Sequence, residues 1–138
     1  MSAEHTYDYA IIRVVPRVER GEMINVGVVL SCPAVEFLDA GVDVDEARLR
    51  ALDETLDIEA IRAHLASIPA ICRGGAEAGP IGSLPQRNRF HWLVSPRSTI
   101  IQMSPVHTGR TENPAAALEK LMDTMVRRPR NSKFSSAP

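Results

Sequence analysis

The chain holds few of the residues that announce a chemistry: two Cys, one Trp and two Tyr, with a net charge of -1 at neutral pH. Near-neutrality removes any global attraction to nucleic acid or to an anionic membrane, so a basic site has to be local. The scarcity of aromatics also denies it a stacking platform for single strands. No window approaches the roughly twenty apolar residues that span a bilayer. Met1-Ser2-Ala3-Glu4-His5 lacks the basic and apolar regions of a secretory signal. A cytoplasmic protein without membrane or nucleic-acid partners is expected. Cys32 and Cys72 stand far apart in apolar surroundings, which fits two buried thiols better than a disulfide. There is no CxxC pair and no His-x-x-x-His spacing; His5, His64, His91 and His107 are scattered, so no metal is expected. The glycines from Gly74 to Gly82 are too irregular for a dinucleotide fingerprint, no G-x-S-x-G elbow occurs, and no cofactor is expected.

What is present is an ordinary globular composition: 138 residues, 44% hydrophobic and 24% charged, the size and balance of one hydrophobic core. One domain over residues 1–128 is expected, followed by a Ser-rich, disordered tail over 129–138. Tyr7 to Arg17 and Met23 to Cys32 both alternate, and the loop from Val18 to Glu22 makes them a β-hairpin. With Arg17 facing Met23, Ile12 pairs with Val28, Val14 with Val26 and Arg13 with Gly27. That register gathers Arg13, Arg17 and Asn25 on the opposite face, with Gly27 leaving room for the Arg13 guanidinium. This face is either simply solvated or turned toward a ligand.

Val35 to Ala40 reads as a third strand, and Asp43 with Glu46 as the capping box of a short helix carrying Leu49 and Leu52. Asp57 caps a longer helix with Ile58, Ile61, Leu65, Ile68 and Cys72 at helical spacing, His64 on its surface and Pro69 kinking its last turn. The Gly-rich segment after it is a flexible connection. Leu84 to Val94 fits a helix, capped by Ser83 and Gln86 and packing Leu84, Phe90 and Leu93; the alternation of Phe90, Trp92 and Val94 fits a strand instead. Ser98 to Met103 is a strand under either reading. Asn113 and Pro114 start the last helix, with Leu118, Leu121, Met122 and Met125 as its buried stripe and Arg127 and Arg128 at its C-terminus. The class is α+β: a small, mostly antiparallel sheet of the hairpin plus about two further strands, packed with about four helices.

Two polar stretches around the Ser98–Met103 strand are not accounted for by core packing. Arg97, Ser98 and Thr99 follow Pro96, and His107, Thr108, Arg110 and Thr111 follow Pro105 in a second loop. Guanidinium forks and hydroxyls on rigid backbone suit an anion such as phosphate or a carboxylate. His107 is the one residue there able to move a proton near neutral pH, though a loop histidine also serves simply to hold the backbone. Arg97 could equally cap the preceding helix or pair with Glu19 or Glu22.

The segments Tyr9 to Arg17, Glu22 to Val28, Arg97-Ser98-Thr99 and Ser104 to Gly109, in this order, resemble an uncharacterised bacterial family, the domain of unknown function numbered three-zero-three-seven. The resemblance covers nearly the whole chain up to about the last helix and implies no assigned activity. It also implies a gene neighbourhood with a kinase of the HipA-like type, and with it either a partnership with that kinase or a shared pathway. Two functions follow. One is an accessory or binding domain, engaging a protein such as that kinase through a polar surface of Arg13, Arg17, Asn25, Arg97, Ser98, Thr99, His107, Thr108 and Arg110. The other is a small enzyme or ligand-binding protein for a phosphorylated or nucleotide ligand, with arginines holding charge and His107 as candidate catalytic residue. Convergence of Arg13, Arg97 and His107 in one pocket separates the two.

Overall fold

The computed structural model describes residues 3–97 and 99–129; the expectations for Ser98 and for the tail from residue 130 lie outside them. Five strands form one antiparallel sheet: β1 (His5–Val14), β2 (Ile24–Cys32), β3 (Phe37–Val42), β4 (Ile101–Met103) and β5 (His107–Thr111). The order is β3-β2-β1-β4, and β5 also pairs with β1, beyond β4 along the same edge. The helices are α1 (Glu46–Leu52), α2 (Ile58–Arg73), α3 (Gln86–Val94) and α4 (Pro114–Met125). This is the expected α+β class, and the segment left between helix and strand is the helix α3.

β1 is buried on both faces, because alternation splits it between two cores. Ala10, Ile12 and Val14 join Leu49 of α1, the α2 stripe from Ile58 to Cys72, and Phe90 and Leu93 of α3. On the opposite face Val28, Leu30 and Cys32 of β2 pack under Leu118, Met122 and Val126 of the α4 region, with Tyr7 and Tyr9 at the margin. Full burial of each such apolar side chain contributes about 1.5–3 kcal/mol, and on the smaller face that burial comes from the α4 region. Cys32 and Cys72 are both buried free thiols. Burial pushes the Cys72 thiol up to about 12, with the nearby Asp39 charge adding to it.

The hairpin register departs from expectation. Ile12 pairs with Gly27, Arg13 with Asn25 and Val14 with Ile24, and a bulge lies between Ile12 and Arg13. The extra residue is Val26, which turns into the larger core while Val28 and Leu30 face the smaller one. Arg13 therefore does not use the space at Gly27. A Cβ there would stand 2.4 Å from the Gly41 carbonyl oxygen and 2.9 Å from Ile12 Cδ1, so Gly27 admits the neighbouring backbone of β3.

Local signals hold where a side chain caps its own helix. Asp57 accepts from Ala60 N–H and Asn113 from Ala116 N–H, with Pro114 in the first helical turn. At α1 the cap is Asp45, accepting from Arg48 N–H, rather than the expected Asp43. The third strand begins at Phe37 rather than Val35, because Pro33–Val35 forms a 3-10 turn. α2 runs through Pro69 to Arg73, and the following segment is a pair of 3-10 turns over Ala76–Ser83. Ser83 caps nothing at α3; its hydroxyl donates to Pro80 O, and Leu84 is exposed. What places α3 is arginine: Arg89 donates to Ile71 O (2.8 Å) and Cys72 O (2.6 Å), closing the C-terminal carbonyls of α2.

The second polar loop is strand β5. It becomes one because Ser104, 3% exposed, splices it to β4. Ser104 N–H donates to Ile11 O at 2.8 Å, and Ile11 N–H donates to Ser104 Oγ at 2.8 Å. The hydroxyl replaces a ladder carbonyl, so β1 stays paired across the break made by Pro105. Ser104→Ala strands the Ile11 N–H inside the protein, a loss of about 1–3 kcal/mol. Urea denaturation should show that loss at constant m-value; wild-type stability in this variant would remove the splice from the account.

Candidate functional site

The two faces of the sheet divide the residues singled out in the sequence. β1 and β5 pair Tyr9 with His107, and β1 and β4 pair Arg13 with Gln102. Cross-strand partners share a face, so His107, Arg13, Gln102 and Asn25 stand on the α4 side. The His107 ring lies 5.4 Å from that of Tyr9, and His107 is exposed. Asn25 Nδ2 donates to Met125 O (3.0 Å), which ties the hairpin to the end of α4. The Arg13 Nε is buried and has no hydrogen-bond partner among the described residues.

Arg97 lies on the other side, beyond α3. Its Nη2 donates to Trp92 O at 2.6 Å, so it caps the last turn of the preceding helix, one of its two expected structural roles. The guanidinium also lies 4.0 Å from the Trp92 ring centroid. It separates two clefts. One runs between α2, α3 and β4 and is lined by His64, Ile68, Trp92 and Met103; the other opens at the β4 edge of the sheet, which brings Gln102 to it beside Val94, Pro105 and Val106. Among the described residues no carboxylate lines either cleft, nor does Arg13 or His107.

The remaining candidates are engaged locally. Arg17 pairs with Asp53 at 3.4 Å at the hairpin end. Hydrogen bonds from Thr55, then the Arg17 charge, hold Asp53 below the usual carboxylate range. Thr99 Oγ1 donates to Ile101 O (2.6 Å), and Arg110 pairs with Glu4 at 3.8 Å. Thr108 Oγ1 donates to Asp8 Oδ1 at 2.9 Å. Arg13, Arg97 and His107 thus line no common pocket.

One polar network escaped the sequence reading. Arg87 of α3 donates to Asp8 of β1 and, at 2.8 Å, to the buried hydroxyl of Ser31 on β2, while its guanidinium sits 5.0 Å from the Phe90 centroid. It bolts α3 across two strands. An Arg in an alternating segment carries no signal of this; only the pairing of Asp8 with Ser31 could have suggested it. Desolvation pushes the Asp8 carboxyl up, but hydrogen bonds from Arg87 and Thr108 and the Arg87 charge outweigh it and hold it below its ordinary value.

Fold and surface together define an α+β protein with an open antiparallel sheet between a three-helix layer and a single helix. Residues 9–126 match the family described as protein of unknown function (DUF3037), and the chain belongs to that family. No curated protein and no solved structure matches it. No described helix is long and apolar enough to cross a membrane. Among the described residues no three His, Cys, Asp or Glu side chains are grouped to hold a metal ion.

The Asp8 network sets a pH dependence. A carboxyl lowered on folding contributes stability in full above the unfolded value of about 4, and loses it as pH falls through the lowered folded value. Asp8→Asn should therefore be less stable than wild type at about pH 6, and the gap should shrink toward about pH 3. A gap that stays constant in urea titrations across this range contradicts the charged role of Asp8.

Proposed function

We propose that this chain is a non-catalytic binding module that captures a protein partner on the surface centred on Trp92 and Arg97. The observation that carries the reading is the Arg97–Trp92 stack between two clefts. A chain with one Trp leaves it 37% exposed, and Val106, which lines the second cleft, is 45% exposed. Trp and Arg around apolar surface are the residues that carry most binding energy at protein interfaces. Arg97 and His64 with no lining carboxylate favour a partner that brings an acidic group next to an apolar side chain. The HipA-like kinase implied by the family resemblance is the first partner to test.

The same geometry counsels against an enzyme reading. Acid–base catalysis needs a histidine held within hydrogen-bond reach of its partner, and His107 has no side-chain hydrogen bond among the described residues. Its ring lies beside that of Tyr9 instead, tilted by 36°. Co-purification with the kinase should fall about tenfold or more in Trp92→Ala and Arg97→Ala, the loss expected of hot-spot residues. Glu19→Ala, on the exposed hairpin turn, should bind as wild type does. Undiminished binding by the Trp92→Ala, Arg97→Ala double variant removes this surface from consideration.

A second reading, a phosphorylated or nucleotide ligand on the α4 side of the sheet, is favoured by the unpartnered Arg13 Nε. A thermal-shift screen against nucleotides and phosphosugars should then find a stabiliser whose effect disappears in Arg13→Ala and in His107→Ala. A screen without any stabiliser, or a stabiliser indifferent to both changes, eliminates it.

A further inference from the structure

The sheet's free edges differ in how they are protected. Val15 N–H donates to Ile100 O (2.7 Å) and Ser104 N–H to Ile11 O, so the odd residues of β1 address β4 and β5. Alternation along an antiparallel ladder then turns the backbone groups of Ile101 and Met103 in β4, and of Thr108 and Arg110 in β5, away from β1. By the same parity the backbone of Ala40 points outward from β3. Two of these outward groups are capped from within: Asp39 Oδ1 accepts the Ala40 N–H at 2.8 Å, and Thr99 Oγ1 donates to Ile101 O. A backbone group occupied in this way is not free to pair with another chain. Along β5 no described residue caps the outward groups.

We infer that β5 is a self-association edge, at which a second copy of this chain adds its own β5 antiparallel, with the two-fold axis at Gly109. In that register Thr108 lies opposite Arg110 of the second copy, and Arg110 opposite its Thr108. Every outward N–H and C=O of both residues meets its complement, as an isologous two-fold contact requires. Shifting the register by two residues would set Arg110 against its own mate; in the Gly109-centred register it faces a neutral Thr, and its charge is already offset by Glu4 at 3.8 Å. His107 likewise faces Thr111. Gly109 brings no side chain to the axis; a Cβ there would stand 2.6 Å from the Tyr7 ring, so the strand core holds this position as glycine. The two sheets become one continuous sheet, with a helix layer on each face left in place.

Sedimentation velocity over a rising concentration series should show the apparent mass of the intact chain doubling. Arg110→Pro removes an outward N–H while sparing the ladder to β1, a position where an edge strand tolerates proline; it should abolish the dimer. Arg110→Ala, which keeps the N–H, should still dimerise. In the wild-type protein, hydrogen exchange at the Thr108 and Arg110 amides should slow as concentration rises, a readout that does not depend on any variant folding. A wild-type protein that stays monomeric throughout, a dimer that survives in well-folded Arg110→Pro, or exchange at these two amides that ignores concentration would each overturn the inference.

Discussion

The reciprocal hydrogen bonds between Ile11 and Ser104 are the constraint on which the rest of the molecule depends. β1 is central: β2 occupies one edge, β4 and β5 share the other, and its side chains feed both cores. A strand in that position cannot leave backbone groups unmet, since each buried N–H without a partner costs as much as a lost hydrogen bond. Pro105 has no N–H and breaks the neighbouring strand at mid-length. The Ser104 hydroxyl repairs the gap from the side, which lets β4 and β5 continue along one edge while the chain changes register between them.

From that central strand follows the division of labour between the faces. The larger core is built by α1, α2 and α3, and α3 is fixed there by two arginines rather than by a strong apolar stripe. Arg89 holds the end of α2, and Arg87 spans Asp8 and Ser31. Guanidinium forks are suited to such joints because each can satisfy several acceptors in one plane. The smaller core needs only α4, docked by Leu118 and Met122 and tied at its end by Asn25. Much of this chain's arginine is therefore structural. Arg97 differs in lying between two open clefts over an exposed Trp, and Arg13 in leaving its Nε without a partner among the described residues.

The composite site that joined Arg13, Arg97 and His107 failed to assemble for a geometric reason. Arg13 and His107 stand on the α4 side of the sheet, whereas Arg97 is held on the other side by its bond to Trp92 O at the end of α3. The hairpin register moved separately: Val26 is the extra residue of the bulge, and the pairing of Arg13 moved from Gly27 to Asn25. β5 was hidden for a different reason. His107 to Thr111 holds no apolar alternation, because it is an edge strand with exposed side chains, and its strand character comes entirely from backbone pairing with β1. The Asp8–Arg87 bridge joins residues 79 apart in sequence, beyond the reach of any local pattern.

What the sequence determined by itself was whatever depends on residues a few positions apart. The stripe from Ile58 to Cys72, the caps at Asp57 and Asn113, the buried thiols and the α+β class all rest on such spacing, and all stand in the fold. Only the tertiary structure decided the hairpin register, the strand β5, the arginine joints of α3 and the face on which each polar residue emerges. Those depend on which backbone groups are left to be satisfied once distant segments meet, and hydrogen-bond satisfaction across a sheet is a property of the assembled ladder rather than of any segment in it.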